Sequence, residues 1–105
     1  MAKGQGDLSW YYLFIKDYAQ SEQSARKALE LDNSQEWVKI NLAHALLFQN
    51  RFSEAEKIYR ELSQANGQEL YTQIILNDLE ELEEADLILE KYKANVEKIR
   101  EMLQD

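Results

Sequence analysis

The chain has 105 residues, of which 45% are hydrophobic and 30% charged, so it is long enough for one domain with a modest core. Its formal net charge of −8 makes nucleic acid and anionic membranes unfavourable partners. The absence of cysteine excludes disulfides, thiolate metal sites and a cysteine nucleophile. With no proline and only three glycines, the composition favours helices joined by short polar loops over strands joined by turns.

Apolar residues recur at helical spacing along most of the chain and predict six helices. In chain order these are residues 7–15, 20–31, 34–49, 53–65, 68–82 and 87–103. Asn33 with Glu36, and Ser53 with Glu56, match the capping box that begins a helix. No helix breaker separates the last two predicted helices, so one continuous helix over 68–103 stays an alternative.

The sequence repeats itself at an interval of 34 residues. The matched pairs are Leu8 with Leu42, Ser9 with Ala43, Tyr18 with Phe52, and Ser21 with Ala55. The small members of these pairs allow two antiparallel helices to approach closely, and the bulky members fill the space around the crossing. The pattern weakens beyond about residue 80, where Asp86 takes the place of Tyr18 and Phe52.

A helix–turn–helix unit of this length resembles the tetratricopeptide repeat family. Leu8-Ser9-x-x-Tyr12 is similar to the family's L-G-x-x-Y, and Ala55-x-x-x-Tyr59 is similar to A-x-x-x-F. The resemblance implies an all-α fold: a right-handed helix–turn–helix solenoid of about three repeats, with a degenerate third repeat that caps the stack.

The resemblance also implies a domain organisation. We expect a single domain over residues 7–105, with repeats at about 7–35, 36–67 and 68–104. Residues 1–6 are expected to be disordered or added for expression. They carry no apolar stretch of the kind found in a signal peptide, and the cytoplasm is the expected compartment, although the sequence leaves the compartment undetermined.

In this family the first helix of each repeat lines a concave groove that binds peptides or helices of other proteins. The resemblance therefore predicts a protein-binding module that is not an enzyme and needs no cofactor or metal. The predicted groove residues are Trp10, Leu13, Phe14, Trp37, Ile40, His44, Leu47, Phe48, Tyr71 and Ile74. A large apolar set of this kind marks either an interaction surface or residues covered within the chain, and both remain open here. His44, the only histidine, is expected to be a polar groove residue and not a metal ligand.

The end of the chain supports an alternative function. Its apolar residues form a seam at helical spacing, consisting of Leu82, Ala85, Leu89, Tyr92, Val96, Ile99 and Leu103. This seam either seals the end of the repeat stack or pairs with a second copy as a weak homodimer. The alternative function is therefore a structural one. In it, the groove and the seam mediate homodimerisation or packing within a longer parent chain.

The acidic residues are concentrated in the same part of the chain. Residues 68–105 carry a net charge of −7, whereas residues 1–67 carry −1. We expect the acidic run over 78–86 to be a solvated face, because carboxylates without apolar enclosure stay hydrated. Docking of a basic partner segment on this run is the alternative.

Overall fold

The computed structural model describes residues 2–32, 36–64, 68–86, 88 and 90–104. Its elements are α1 (Ala2–Phe14), α2 (Tyr18–Leu31), α3 (Glu36–Leu47), α4 (Phe52–Ser63), α5 (Gln68–Glu84), a short 3-10 turn (Glu90–Tyr92) and α6 (Lys93–Gln104). No strand occurs in these described ranges, and the predicted all-α fold is confirmed.

The six helices occur where the sequence placed them, with shifted ends. α1 begins at Ala2, so its helical backbone includes most of the segment predicted to be disordered or added for expression. α3 ends at Leu47, two residues before the predicted end. The predicted cap at Asn33 lies outside the described residues. The continuous-helix alternative is wrong, because α5 ends at Glu84 and the chain then turns at Asp86.

The turn after each first helix contains a residue in the left-handed conformation. The backbone angle φ is 61° at Lys16, 64° at Asn50 and 58° at Asp86. Lys16 and Asn50 are one repeat length apart, whereas Asp86 lies two residues further on than the repeat requires. Asp86 is therefore the counterpart of Lys16 and Asn50, and its alignment with Tyr18 and Phe52 was wrong by those two residues. This insertion explains why the sequence repeat drifts in the third hairpin.

The left-handed turn predicts a stabilising substitution at Lys16. Changing Lys16 to glycine should raise the free energy of unfolding by about 0.5–1 kcal/mol, because a side chain at positive φ costs ~1–2 kcal/mol and the extra freedom of glycine in the unfolded chain offsets part of the gain. Urea denaturation measures the change. The matched control is Lys27→Gly in the exposed face of α2, which should lower stability by about 1 kcal/mol. An equal decrease in the free energy of unfolding in both variants would contradict the left-handed conformation of Lys16.

The first two hairpins cross at the small residues that the repeat predicted. Ser9, Ser21, Ala43 and Ala55 are all fully buried. The Ser21 hydroxyl donates a hydrogen bond of 2.6 Å to the backbone carbonyl of Ser9, a bond that requires the α1 and α2 backbones to lie close together. The third hairpin lacks this crossing. Asn77, the counterpart of Ala43, is exposed, and α5 approaches α6 much less closely than α3 approaches α4.

α3 is the central helix of the fold. It packs against α1, α2 and α4, and every residue from 40 to 48 is buried. Its apolar side chains are distributed around the whole helix, which is typical of a helix enclosed on all sides. The core therefore lies around α3. Among the residues of α3 whose burial is described, Trp37, near its beginning, is the one that is exposed.

The apolar seam of the last helix is used within the chain. Its buried members are Leu82, Tyr92, Val96, Ile99 and Leu103. Ala85 is exposed, and Leu89 lies outside the described residues. α6 packs against α4, where the Lys98 ammonium lies 5.5 Å from the centre of the Phe52 ring. These five side chains are covered by their own chain, as expected if the seam seals the end of the repeat stack.

A polar cluster joins α2 to the turn that follows α3. The Glu22 carboxylate accepts hydrogen bonds from Gln49 Nε2 at 3.0 Å, from Arg51 at 2.8 Å and from Arg26 at 2.8 Å. Partial burial opposes ionisation of Glu22, but these three donors outweigh it and lower the pKa of Glu22 below its ordinary value. The cluster fixes the position of α2 against the second hairpin.

Candidate functional site

An open cavity of roughly 460 Å³ crosses the first helices of the three hairpins. Trp10 enters it from α1, Trp37 and Asn41 from α3, and Ile74 and Asp78 from α5. These five residues are called the groove below. The cavity is therefore formed by three helices, each of which is the first of a hairpin.

Trp10, His44 and Asp78 form a row of residues separated by one repeat length. Trp10 and Asp78 line the groove, and His44 lies buried beneath it. The ring centres of Trp10 and His44 are 6.3 Å apart, and His44 Nε2 lies 3.1 Å from Asp78 Oδ2. Equivalent positions in consecutive repeats lie side by side, so the repeat length brings residues distant in sequence into contact.

His44 is fully buried and connects this row to α4. Its Nδ1 lies 2.5 Å from the Tyr59 hydroxyl oxygen. A carboxylate only accepts hydrogen bonds, so in a neutral His44 the hydrogen sits on Nε2, which donates to Asp78, while Nδ1 accepts from Tyr59. Burial, and then the nearby Asp78 charge, hold the pKa of Tyr59 well above its ordinary value, which keeps the phenol protonated as a donor.

This hydrogen-bonded chain fixes the Asp78 carboxylate in the groove. Tyr59 holds the imidazole of His44, and the imidazole in turn holds Asp78 Oδ2. Beside it, Asn41 Nδ2 donates to Ser9 Oγ at 3.1 Å and ties α3 to α1. Among the described residues, no buried polar side-chain atom lacks a hydrogen-bond partner. The groove floor is therefore organised before any partner binds.

Sequence comparison agrees with this architecture. A family model described as tetratricopeptide repeat matches residues 16–77, more than half of the chain. The chain belongs to the tetratricopeptide repeat family. No curated protein and no solved structure gives a significant match to it.

Membership of the tetratricopeptide repeat family establishes a helical repeat solenoid and a general role. These repeats mediate protein–protein interactions, and the family is not an enzyme family. Within the described residues, no helix combines the length and the apolar character needed to cross a membrane. In the same ranges, no three His, Cys, Asp or Glu side chains cluster closely enough to hold a metal ion.

The structure divides the ten predicted groove residues of this tetratricopeptide repeat into three groups. Trp10, Trp37 and Ile74 line the groove. Phe14 and Tyr71 are partly buried against the core and are not among the described residues that line it. The remaining five are buried in the core and do not form part of an exposed groove: Leu13, Ile40, His44, Leu47 and Phe48. Burial within the chain was the alternative left open for this apolar set, and it applies to these five residues because a repeat helix enclosed by its neighbours buries several faces at once.

Sequence reasoning missed Asn41 and Tyr59 as parts of this site. Asp78 was predicted to belong to a solvated acidic face, yet its side chain is only 20% exposed and contacts His44. Because His44 and Asp78 are one repeat length apart in the sequence, the repeat could have predicted that these two side chains are neighbours. The other acids of the run behave as predicted in being exposed: Glu80, Glu81, Glu83, Glu84 and Asp86. Glu83 also pairs with Arg100 of α6.

Proposed function

We propose that this chain is a protein–protein interaction module that binds a peptide or a helix of a partner protein in the groove. The observation that carries the proposal is an open cavity, on the first helices of three hairpins, that holds both tryptophans of the chain. Its volume falls within the range of about 300–1,000 Å³ that is usual for ligand sites. Tryptophan is enriched among the residues that dominate binding energy at protein interfaces.

The test is selection of peptides followed by measurement of their affinity. A phage-displayed library of random peptides is panned on the protein, and the selected peptides are titrated against it while tryptophan fluorescence is recorded. Trp37→Ala should weaken binding by about 2 kcal/mol, roughly thirtyfold in Kd, because an aromatic anchor is lost.

Leu31→Ala is the control for this experiment. Leu31 is the most exposed of the large apolar side chains that the structure describes, at 58%, and it does not line the groove. Its removal should leave the affinity unchanged. A library that yields no binding peptide would contradict the proposal, as would peptides whose affinity depends on Leu31 and not on Trp37.

A different observation favours assembly as the alternative function, through a surface other than the predicted groove and seam. An exposed apolar stripe runs along α1 and the residue that follows it. It consists of Leu8, Tyr11 and Ile15, which are 40%, 56% and 51% exposed. One repeat later the same positions are Leu42 and Ala45, which are buried, and Gln49, which bonds to Glu22 of α2. This face of α3 is therefore covered by α2, whereas no described helix covers the stripe on α1. We propose that a second copy of the chain covers the stripe in a homodimer.

Analytical ultracentrifugation over a range of concentrations tests this assembly. The wild-type chain should dimerise reversibly, and Tyr11→Glu should leave it monomeric, because a charge would be buried without a partner at the interface. Leu31→Glu makes the same chemical change at an exposed residue outside the stripe and should leave the dimer intact. A monomer at all concentrations, or a dimer that Tyr11→Glu does not affect, would argue against the stripe as the interface.

A further inference from the structure

We propose that the groove recognises a cationic side chain of the partner, lysine or arginine, placed against the indoles of Trp10 and Trp37 with Asp78 as its counter-charge. This inference rests on the proposed function, since it names the chemistry that the groove selects. It is carried by the juxtaposition of two tryptophans and one carboxylate in the same open cavity.

Among the described residues that line the groove, only Asp78 carries a formal charge, and that charge is negative. The carboxylate has no lysine or arginine within ion-pair distance among the described residues, and its partner there is His44. A carboxylate can accept several hydrogen bonds, so the bond from His44 to Oδ2 leaves capacity for a donor that enters the groove. An acidic ligand would meet an unfavourable charge at this position, whereas a basic ligand would meet a favourable one.

The two indoles supply the second part of the recognition. The face of an aromatic ring attracts a cation, and tryptophan does so most strongly. Trp10 is held in place by an edge-on contact with Phe14, with ring centres 5.1 Å apart, and by its contact with His44. Ile74 completes the lining with an apolar surface on which the methylene stem of lysine or arginine can lie. A charged head group and an apolar stem are thus both accommodated.

The buried hydrogen bonds from Tyr59 to His44 and from His44 to Asp78 explain the position of the Asp78 carboxylate. A carboxylate on an unconstrained side chain would turn towards water, but Asp78 is oriented by His44, and His44 is oriented by Tyr59. His44 and Tyr59 are fully buried and do not reach the groove themselves. They are positioning residues that hold the charge ready before a partner arrives, which lowers the entropic cost of binding.

The probe for this inference is butylguanidinium, with butylurea as its neutral analogue of nearly the same shape. The chain contains two tryptophans, and both lie in the groove, so their two indole N–H signals in a nitrogen–proton NMR spectrum report on this site. We expect butylguanidinium to shift both signals with a Kd on the order of millimolar, and butylurea to bind at least about tenfold more weakly.

Asp78→Asn should reduce the preference for butylguanidinium to about twofold or less, because it removes the charge and retains an oxygen that can accept from His44. Glu81→Gln makes the same change of charge at an exposed residue of α5 and should keep the full preference. Equal binding of the two probes to the wild-type protein would overturn the inference without any variant. A preference of undiminished size in folded Asp78→Asn would overturn it as well.

The selected peptides separate this inference from the proposed function. Peptides that carry lysine or arginine, and that lose at least about tenfold in affinity when it is replaced by glutamine or citrulline, support both. Peptides that depend on Trp37 but contain no required basic residue leave the groove as a binding site and overturn its preference for a cation. If no peptide binds and neither probe shifts the indole signals, both proposals fail.

Discussion

Replacing Ala43 by leucine is expected to lower the free energy of unfolding by about 2 kcal/mol, because the added methylenes enter a helix crossing with no room for them. Ala43 is fully buried, as is Ala55, its small counterpart on the other helix of the hairpin. In the preceding hairpin the corresponding crossing is close enough for the Ser21 hydroxyl to bond to the Ser9 carbonyl. A larger side chain at this position must either leave its preferred rotamer or push α3 away from α4.

The matched control is Asn77→Leu, one repeat further along the chain. Asn77 is exposed because α5 and α6 do not cross as α3 and α4 do, and a surface substitution of this kind should change stability by no more than about 0.5 kcal/mol. Urea denaturation of both variants provides the comparison. The dependence of the free energy of unfolding on urea concentration should have the same slope in both variants as in the wild-type protein. Similar losses at Ala43 and Asn77 would mean that the third hairpin crosses as the second does, contrary to the structure.

These two positions also show how far a sequence predicts a repeat fold. The interval of 34 residues between Ser9 and Ala43 was sufficient to predict the first two hairpins. A close helix crossing requires a small residue, and few other constraints place small residues at a fixed interval. The third hairpin was predicted less well. Its left-handed residue, Asp86, lies two residues later than the repeat requires, and no local signal distinguished a left-handed Asp86 from a helical one.

The groove was predicted only in part for a different reason. Trp10, Trp37 and Ile74 lie where the family pattern places a binding surface, but Leu13 and Ile40 are enclosed by neighbouring helices. Spacing along a helix tells which residues share a face, and it does not tell how many faces the rest of the fold covers. The number of covered faces depends on how the hairpins pack against each other, and the spacing of apolar residues within one helix does not reveal that packing.

The same packing joins His44 to Asp78, and it makes His44 the side chain whose removal should be among the most costly. His44→Ala is expected to lower the free energy of unfolding by about 3 kcal/mol, because it leaves a cavity and deprives the fully buried Tyr59 hydroxyl of its partner. Tyr59→Phe keeps the ring and should cost about 1–2 kcal/mol, since the His44 Nδ1 atom is left without a donor.

The two changes together distinguish a hydrogen-bonded chain from simple packing. If Tyr59 acts through His44, Tyr59→Phe should cost almost nothing once His44 is alanine, so the double variant should be about 1–2 kcal/mol more stable than the sum of the single changes predicts. Tyr11→Phe, at an exposed tyrosine of α1, serves as the control and should be additive with His44→Ala. Additivity of Tyr59→Phe as well would show that the two side chains contribute separately and that Tyr59 does not hold His44 in position.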